Sequence, residues 1–125
     1  MRSVVLMVAG MLMVLSSAAH GMLGWPAMRQ ALLQAGAGAD LVGALAAGWH
    51  FGTASMAAFG VIVITAAARL RRGDLSGAIF VKAVAACYVI FGAATFVARA
   101  YNPHFLLFVV TGVVAWLPVA TVKAR

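Results

Sequence analysis

The chain has 125 residues, of which 66% are hydrophobic and only 9% charged, and its mean hydropathy is +1.08; an ordinary soluble domain carries roughly a quarter charged residues. That composition excludes a water-soluble globule, and the length holds one compact unit. Nine Lys and Arg against two Asp and Glu give a net charge of +7, but the bases stand at the ends of apolar runs, which fits a lipid bilayer and not a nucleic acid as partner.

Four apolar runs follow one another, residues 4–23, 41–68, 77–98 and 105–122, each bounded by charge, Gly or Pro. About 20 apolar residues cross a bilayer, and these unbroken runs lack the period-two alternation of barrel strands. The expected fold is all-α, an integral membrane four-helix bundle forming a single transmembrane domain over residues 1–125. Cytoplasmic loops retain Lys and Arg. With both termini cytoplasmic, Arg2, Arg69, Arg71, Arg72, Lys82, Lys123 and Arg125 lie inside and only Arg29 and Arg99 outside, the pattern of a multi-pass protein of the bacterial inner membrane.

In the first run, Arg2, the apolar stretch to Leu15 and Ser16-Ser17-Ala18-Ala19-His20 also have the form of a cleavable secretory signal; the apolar continuation to Leu23 favours retention as a span. Gly10, Ser17, Gly21 and Gly24 form its expected contact stripe, with Ser16 and Ser17 in reach of His20 one turn on. Residues 26–35 set Arg29, Gln30 and Gln34 beside Met28, Leu32 and Leu33, a short interfacial helix in the first outer loop. Trp25 and Trp49, joined by Tyr101, suit an outer aromatic belt.

Asp40 and Asp74 precede the second and third runs and are expected to start their helices, Asp74 as an N-cap. Gly48 and Gly52 make a GxxxG pair that Ser55 continues, with Ala46, His50, Thr53, Ala54 and Ala57 opposite. Small residues let helices approach in lipid, so this helix is expected at the centre of the bundle. In the third run Ala85, Tyr88, Gly92, Thr95 and Arg99 recur at spacings of three and four, a polar seam on one helix face in which the Tyr88 hydroxyl needs a partner. Cys87 is the only cysteine, so no internal disulfide can form, and its apolar setting suggests a buried thiol.

His20, His50 and His104 come from three runs yet fall toward the same outer level, beside Arg99, Tyr101 and Asn102. Ionisable groups within a membrane are functional candidates because burial is costly. Two imidazoles, His20 and His50, could ligate a haem, and three could hold zinc or copper; the plainer reading is packing at the interface, since no HxxxH or CxxC spacing accompanies them. The spans contain no carboxylate, and nucleophile elbow and phosphate loop are lacking, so no enzyme activity is expected.

Size and span number resemble the small multidrug transporters, but their working glutamate in the first span has no counterpart here. Ala18-Ala19-His20 and Trp49-His50 are similar to the Ala-Ala-His and Trp-His of uncharacterised small four-helix bacterial inner-membrane proteins, a resemblance that implies layout and no activity. The expected function is that of an accessory or assembly subunit that associates with other membrane subunits or with itself and needs no cofactor. Two alternatives stand beside it: a haem- or metal-binding electron-transfer protein using His20 and His50, and a small-molecule carrier with an outward-facing pocket between Tyr88, Thr95 and Arg99.

Overall fold

Every regular element in the computed structural model, which describes residues 1–122, is helical; Lys123 and Arg125 lie outside the described residues. In chain order these are α1 (Arg2–Ala19), a π-helical turn (His20–Gly24), α2 (Trp25–Gln34), α3 (Ala39–Arg71), α4 (Ala78–Ala98), a 3-10 turn (Pro103–Phe105), α5 (Leu106–Trp116) and a second 3-10 turn (Leu117–Val119). The main pairings are α1 with α3 and α4 with α5, and smaller contacts of α1 with α5 and of α3 with α4 join the two pairs. Three stretches, Arg2–Gln34, Ala39–Arg71 and Ala78–Ala98, are long and apolar enough to cross a membrane. The fourth apolar stretch, Pro103–Val119, is shorter than the expected span over 105–122. Its last helical turn tightens to 3-10 at Leu117-Pro118, where proline supplies no amide to continue an α-helix.

The expected separate interfacial helix is instead a continuation of the first long apolar helix. Arg2–Gln34 runs as 33 helical residues, about 50 Å at 1.5 Å per residue. Pro26 has no amide hydrogen, so one carbonyl in the preceding turn must lose its usual partner. One extra residue is accommodated in that turn, and the Trp25 amide donates to the carbonyl of His20, five residues back. The helix then ends at Gly36, whose φ of +76° suits glycine, with the Ala37 amide returning to Leu32 O at 3.0 Å.

Neither aspartate caps a helix. The N-cap of α4 is Gly77 without a side-chain bond, and Asp74 Oδ1 accepts from the Ser76 amide at 2.8 Å, which closes the inter-helix turn. Hydrogen bonds from the Ser76 side chain and backbone, helped by the Arg69 and Arg72 charges, hold the Asp74 carboxyl below its usual range. What the turn gains from that carboxylate is therefore present at neutral pH and lost as pH falls through the lowered value. Asp40 lies inside the first turn of α3, behind the N-cap Gly38, where its charge complements the helix dipole.

Packing inverts the arrangement of a water-soluble protein. Alanines fill much of the interior, among them Ala9, Ala67, Ala85 and Ala115, with Leu6, Met13, Val63 and Val81 as the largest fully buried side chains. Leu15, Ile62, Phe80, Ile90, Phe91 and Val110 are exposed. Small interior residues allow backbones to meet: a Cβ on Gly60 would stand 2.8 Å from Gly10 O and one on Gly10 would stand 3.0 Å from Gly60 O. A Cβ on Gly112 would likewise meet Ala85 O at 2.7 Å, which brings α5 onto α4.

The expected contact stripe of α3 is not the one in use. Nothing lies within 4 Å of a Cβ placed on Gly48 or Gly52, and the Ser55 hydroxyl donates to Phe51 O in its own helix. Thus α3 is not surrounded on all sides; it meets α1 through Gly60 farther along. Cys87 is exposed on the outer face of α4 and not buried. At the end of the molecule where Arg2, Asp74 and Val122 line one groove, Lys82 Nζ donates to Val122 O at 2.6 Å and to Ala120 O at 3.3 Å. These carbonyls follow the last turn of helix and have lost their intrahelical donors.

Gly60→Ala should destabilise the fold by about 1–3 kcal/mol, because its methyl meets, besides Val14 Cγ2, the backbone atoms Gly10 O at 2.8 Å and Val14 N at 3.0 Å, which cannot turn aside as a side chain can. Gly43→Ala, where a Cβ meets nothing within 4 Å, should be neutral or gain up to ~1 kcal/mol of helix propensity. Unfolding followed by circular dichroism in one detergent compares the two.

Candidate functional site

Opposite the Arg2 end, the π turn redirects groups of α1 toward α3. The His20 carbonyl accepts two hydrogen bonds, from the Trp25 amide and from Trp49 Nε1 at 2.9 Å. The Trp49 indole in turn stacks on the His20 ring, with centroids 4.1 Å apart and planes 1° from parallel. Trp25 leans against Trp49 at 6.0 Å, and the edge contact between Trp25 and His50, at 5.7 Å, extends the cluster. One turn below, buried Ser17 donates to Thr53 O at 2.7 Å, so it serves the α1–α3 contact and not His20. Thr53 Oγ1 donates to Trp49 O at 3.0 Å.

A cavity of about 310 Å³ opens beside this cluster, lined by groups that include His20, Trp49, Tyr88, His104 and Phe108. Tyr88 reaches it from the middle of α4, held between Phe59, centroids 6.3 Å apart, and Phe108, at 5.8 Å. The tyrosine is only 5% exposed, and its hydroxyl, alone among buried side-chain polar atoms of the described residues, has no hydrogen-bond partner. The expected partner for Tyr88 is therefore absent among the described residues.

His104 arrives by a different route. After α4, Ala100 and Tyr101 both adopt left-handed backbone, with φ of 53° and 61°, a conformation that costs an L residue about 1–2 kcal/mol. The Tyr101 amide bonds Phe96 O at 2.8 Å and its ring packs on Phe96 at 5.4 Å. Asn102 Oδ1 then accepts from the His104 amide at 3.0 Å and starts the 3-10 turn that brings His104 to the rim.

Of the three histidines, His20 and His104 line the cavity and His50 does not. Among the described residues no group of three His, Cys, Asp or Glu is close enough to hold a metal ion. His20 stacks on Trp49, and the exposed His50 meets Trp25 edge-on. The polar seam also divides. Tyr88 lines the cavity whereas Thr95 and Arg99 do not; Thr95 Oγ1 donates to Phe91 O within α4, and Arg99 is the exposed C-cap of that helix. Trp49 and Phe108, which shape the cavity, were legible in the sequence only as belt and span residues.

No protein family, curated protein or solved structure matches the chain.

Trp49→Phe keeps the stacked ring and removes the donor to His20 O, and should lower stability by about 1 kcal/mol. Ala100→Gly should raise it by about 1 kcal/mol by relieving left-handed strain. Thermal melts of the two variants beside the parent protein measure both shifts.

Proposed function

We propose that this chain is a multi-pass protein of the bacterial inner membrane, crossing four times with both termini cytoplasmic, and that it works as an accessory or assembly subunit by packing α3 against a helix of another membrane protein or of a second copy. The observation that carries this reading is the open surface at Gly48 and Gly52, where an added Cβ meets nothing. In lipid, helix association relies on close backbone approach at small residues, and an open GxxxG face is suited to it. Exposed Leu45 and Phe51 flank the face and offer side chains to pack around an approaching helix.

Three further features support membrane placement. The exposed surface carries large apolar side chains, three helices have the length and hydropathy of spans, and Arg2 shares a groove with the turn after α3 and with Val122. The basic residues of that end, Arg2, Arg69, Arg71, Arg72 and Lys82, match the charge bias of a cytoplasmic face. For Pro103–Val119 to cross, the bilayer must thin locally or the flanking residues must extend its reach.

Native mass spectrometry in mild detergent should find a complex containing this chain, and the double substitution Gly48→Leu with Gly52→Leu should dissociate it without unfolding the protomer. A lone monomer in every mild detergent overturns the association reading. Reporter fusions at the two ends should both report the cytoplasm; opposite sides overturn the four-span topology.

A further inference from the structure

The cavity between α1, α3, α4 and α5 has a property that packing does not explain. A tyrosine hydroxyl in a well-packed apolar interior is normally paired, because an unpaired buried donor is costly. Tyr88 is buried, lines the cavity, and lacks a partner for its hydroxyl. The ring nitrogens of His20 and His104 at the same cavity are likewise unengaged by other protein groups among the described residues, the bonds at these residues being made by backbone atoms. The surrounding wall is aromatic and aliphatic, with Trp49, Met56, Leu107 and Phe108. Ser16 and Leu107 at the cavity are exposed, so the space reaches the outer surface between α1 and α5.

The walls define what fits. About 310 Å³ stands at the lower end of the range of ligand pockets, roughly 300–1,000 Å³, and suits a small ring system. The wall has no carboxylate and no Lys or Arg, so nothing there would compensate a charged ligand for its lost hydration. The unpaired phenol is a donor that calls for an acceptor oxygen, and a neutral imidazole supplies a second donor. The aromatic and aliphatic wall of Trp49, Leu107 and Phe108 suits a flat apolar ring body.

We propose that this cavity is a binding site for a neutral, lipid-soluble cyclic carbonyl compound of quinone type, with the Tyr88 hydroxyl donating to a carbonyl oxygen and an imidazole of the rim serving the opposite side of the ring. The site takes Tyr88 from the expected outward pocket and replaces Thr95 and Arg99 with His20 and His104. It is independent of the α3 docking face, since neither Gly48 nor Gly52 lines it.

The test uses the full chain in mild detergent and a matched pair of probes: duroquinone, whose fully substituted ring does not add to thiols such as exposed Cys87, and durene, which has the same tetramethyl ring without carbonyls. Isothermal titration calorimetry, with micelle partitioning subtracted, should show saturable binding of duroquinone and weaker binding of durene. Tyr88→Phe should weaken duroquinone binding about five- to tenfold, the scale of one hydrogen bond, and leave durene binding unchanged. The same variant, free of ligand, should melt at a higher temperature than the parent because an unpaired hydroxyl has been removed. Absence of saturable binding by duroquinone, equal affinity for the two probes, or undiminished duroquinone affinity in Tyr88→Phe overturns the proposal. A lower melting temperature for ligand-free Tyr88→Phe overturns it as well, because the hydroxyl would then be already paired.

Discussion

The approach of α1 to α3 at Gly10 and Gly60 sets the geometry on which the other contacts depend. Each glycine faces a carbonyl of the other helix, 2.8 and 3.0 Å from where a Cβ would stand, so neither position has room for a side chain at this separation. Once they meet there, Ser17 falls within 2.7 Å of Thr53 O and Gly21 receives the Thr53 methyl, which would stand 3.0 Å from an added Cβ. Farther along, Trp49 can reach the His20 carbonyl. The order runs from small to large: glycine pair, hydroxyl, then indole. At the end where the aromatic groups stand, room is left between the helices.

Pro26 determines what happens in that room. A continuous α-helix through residues 20–26 would turn the His20 carbonyl along the axis to an amide four residues on. The π turn shifts the partner to Trp25 and leaves the carbonyl accessible to a second donor from α3. One missing amide thus couples the end of α1 to Trp49, and through ring stacking fixes the plane of His20. π turns of this kind often accompany functional sites because they re-aim side chains without ending the helix.

Helix positions were legible from hydropathy because each apolar run exceeds a helical turn many times over and the bounding Gly, Pro and charges are distinct; the helices at Ala39–Arg71 and Ala78–Ala98 lie close to the runs 41–68 and 77–98. Which small residues make contacts was legible in α1, whose expected stripe of Gly10, Ser17, Gly21 and Gly24 does meet α3, but not in α3. Gly48 and Gly52 satisfy the GxxxG spacing as well as any pair, but the spacing states only that a face is smooth, and the partner helix decides where the smooth face is used. Gly10 and Gly60 lie fifty residues apart, and no local pattern relates them. The fate of Asp74 illustrates a second limit: both an N-cap and an Asx turn need an oxygen near an amide, and the difference between capping α4 and closing the turn on Ser76 is a shift of a few residues in where the helix begins.

The candidate site was half legible for the same reason. Helical periodicity placed Tyr88 on an inward seam and the three histidines near one level, and two of those histidines do share a cavity with Tyr88. Periodicity also put Thr95 and Arg99 on that seam, but a face shared within one helix need not be a face shared by its neighbours. α5 crosses α4 closely at Gly112 and at Gly92, where an added Cβ would stand 2.9 Å from Phe105 O; from Gly92 on, that face is closed by α5 and by the turn leading into it. Thr95 is left to satisfy its hydroxyl on its own helix, whereas Tyr88, one turn before Gly92, faces the gap between α4 and α1. The seam is therefore cut by a glycine contact, and only its inner end borders space that a ligand could enter.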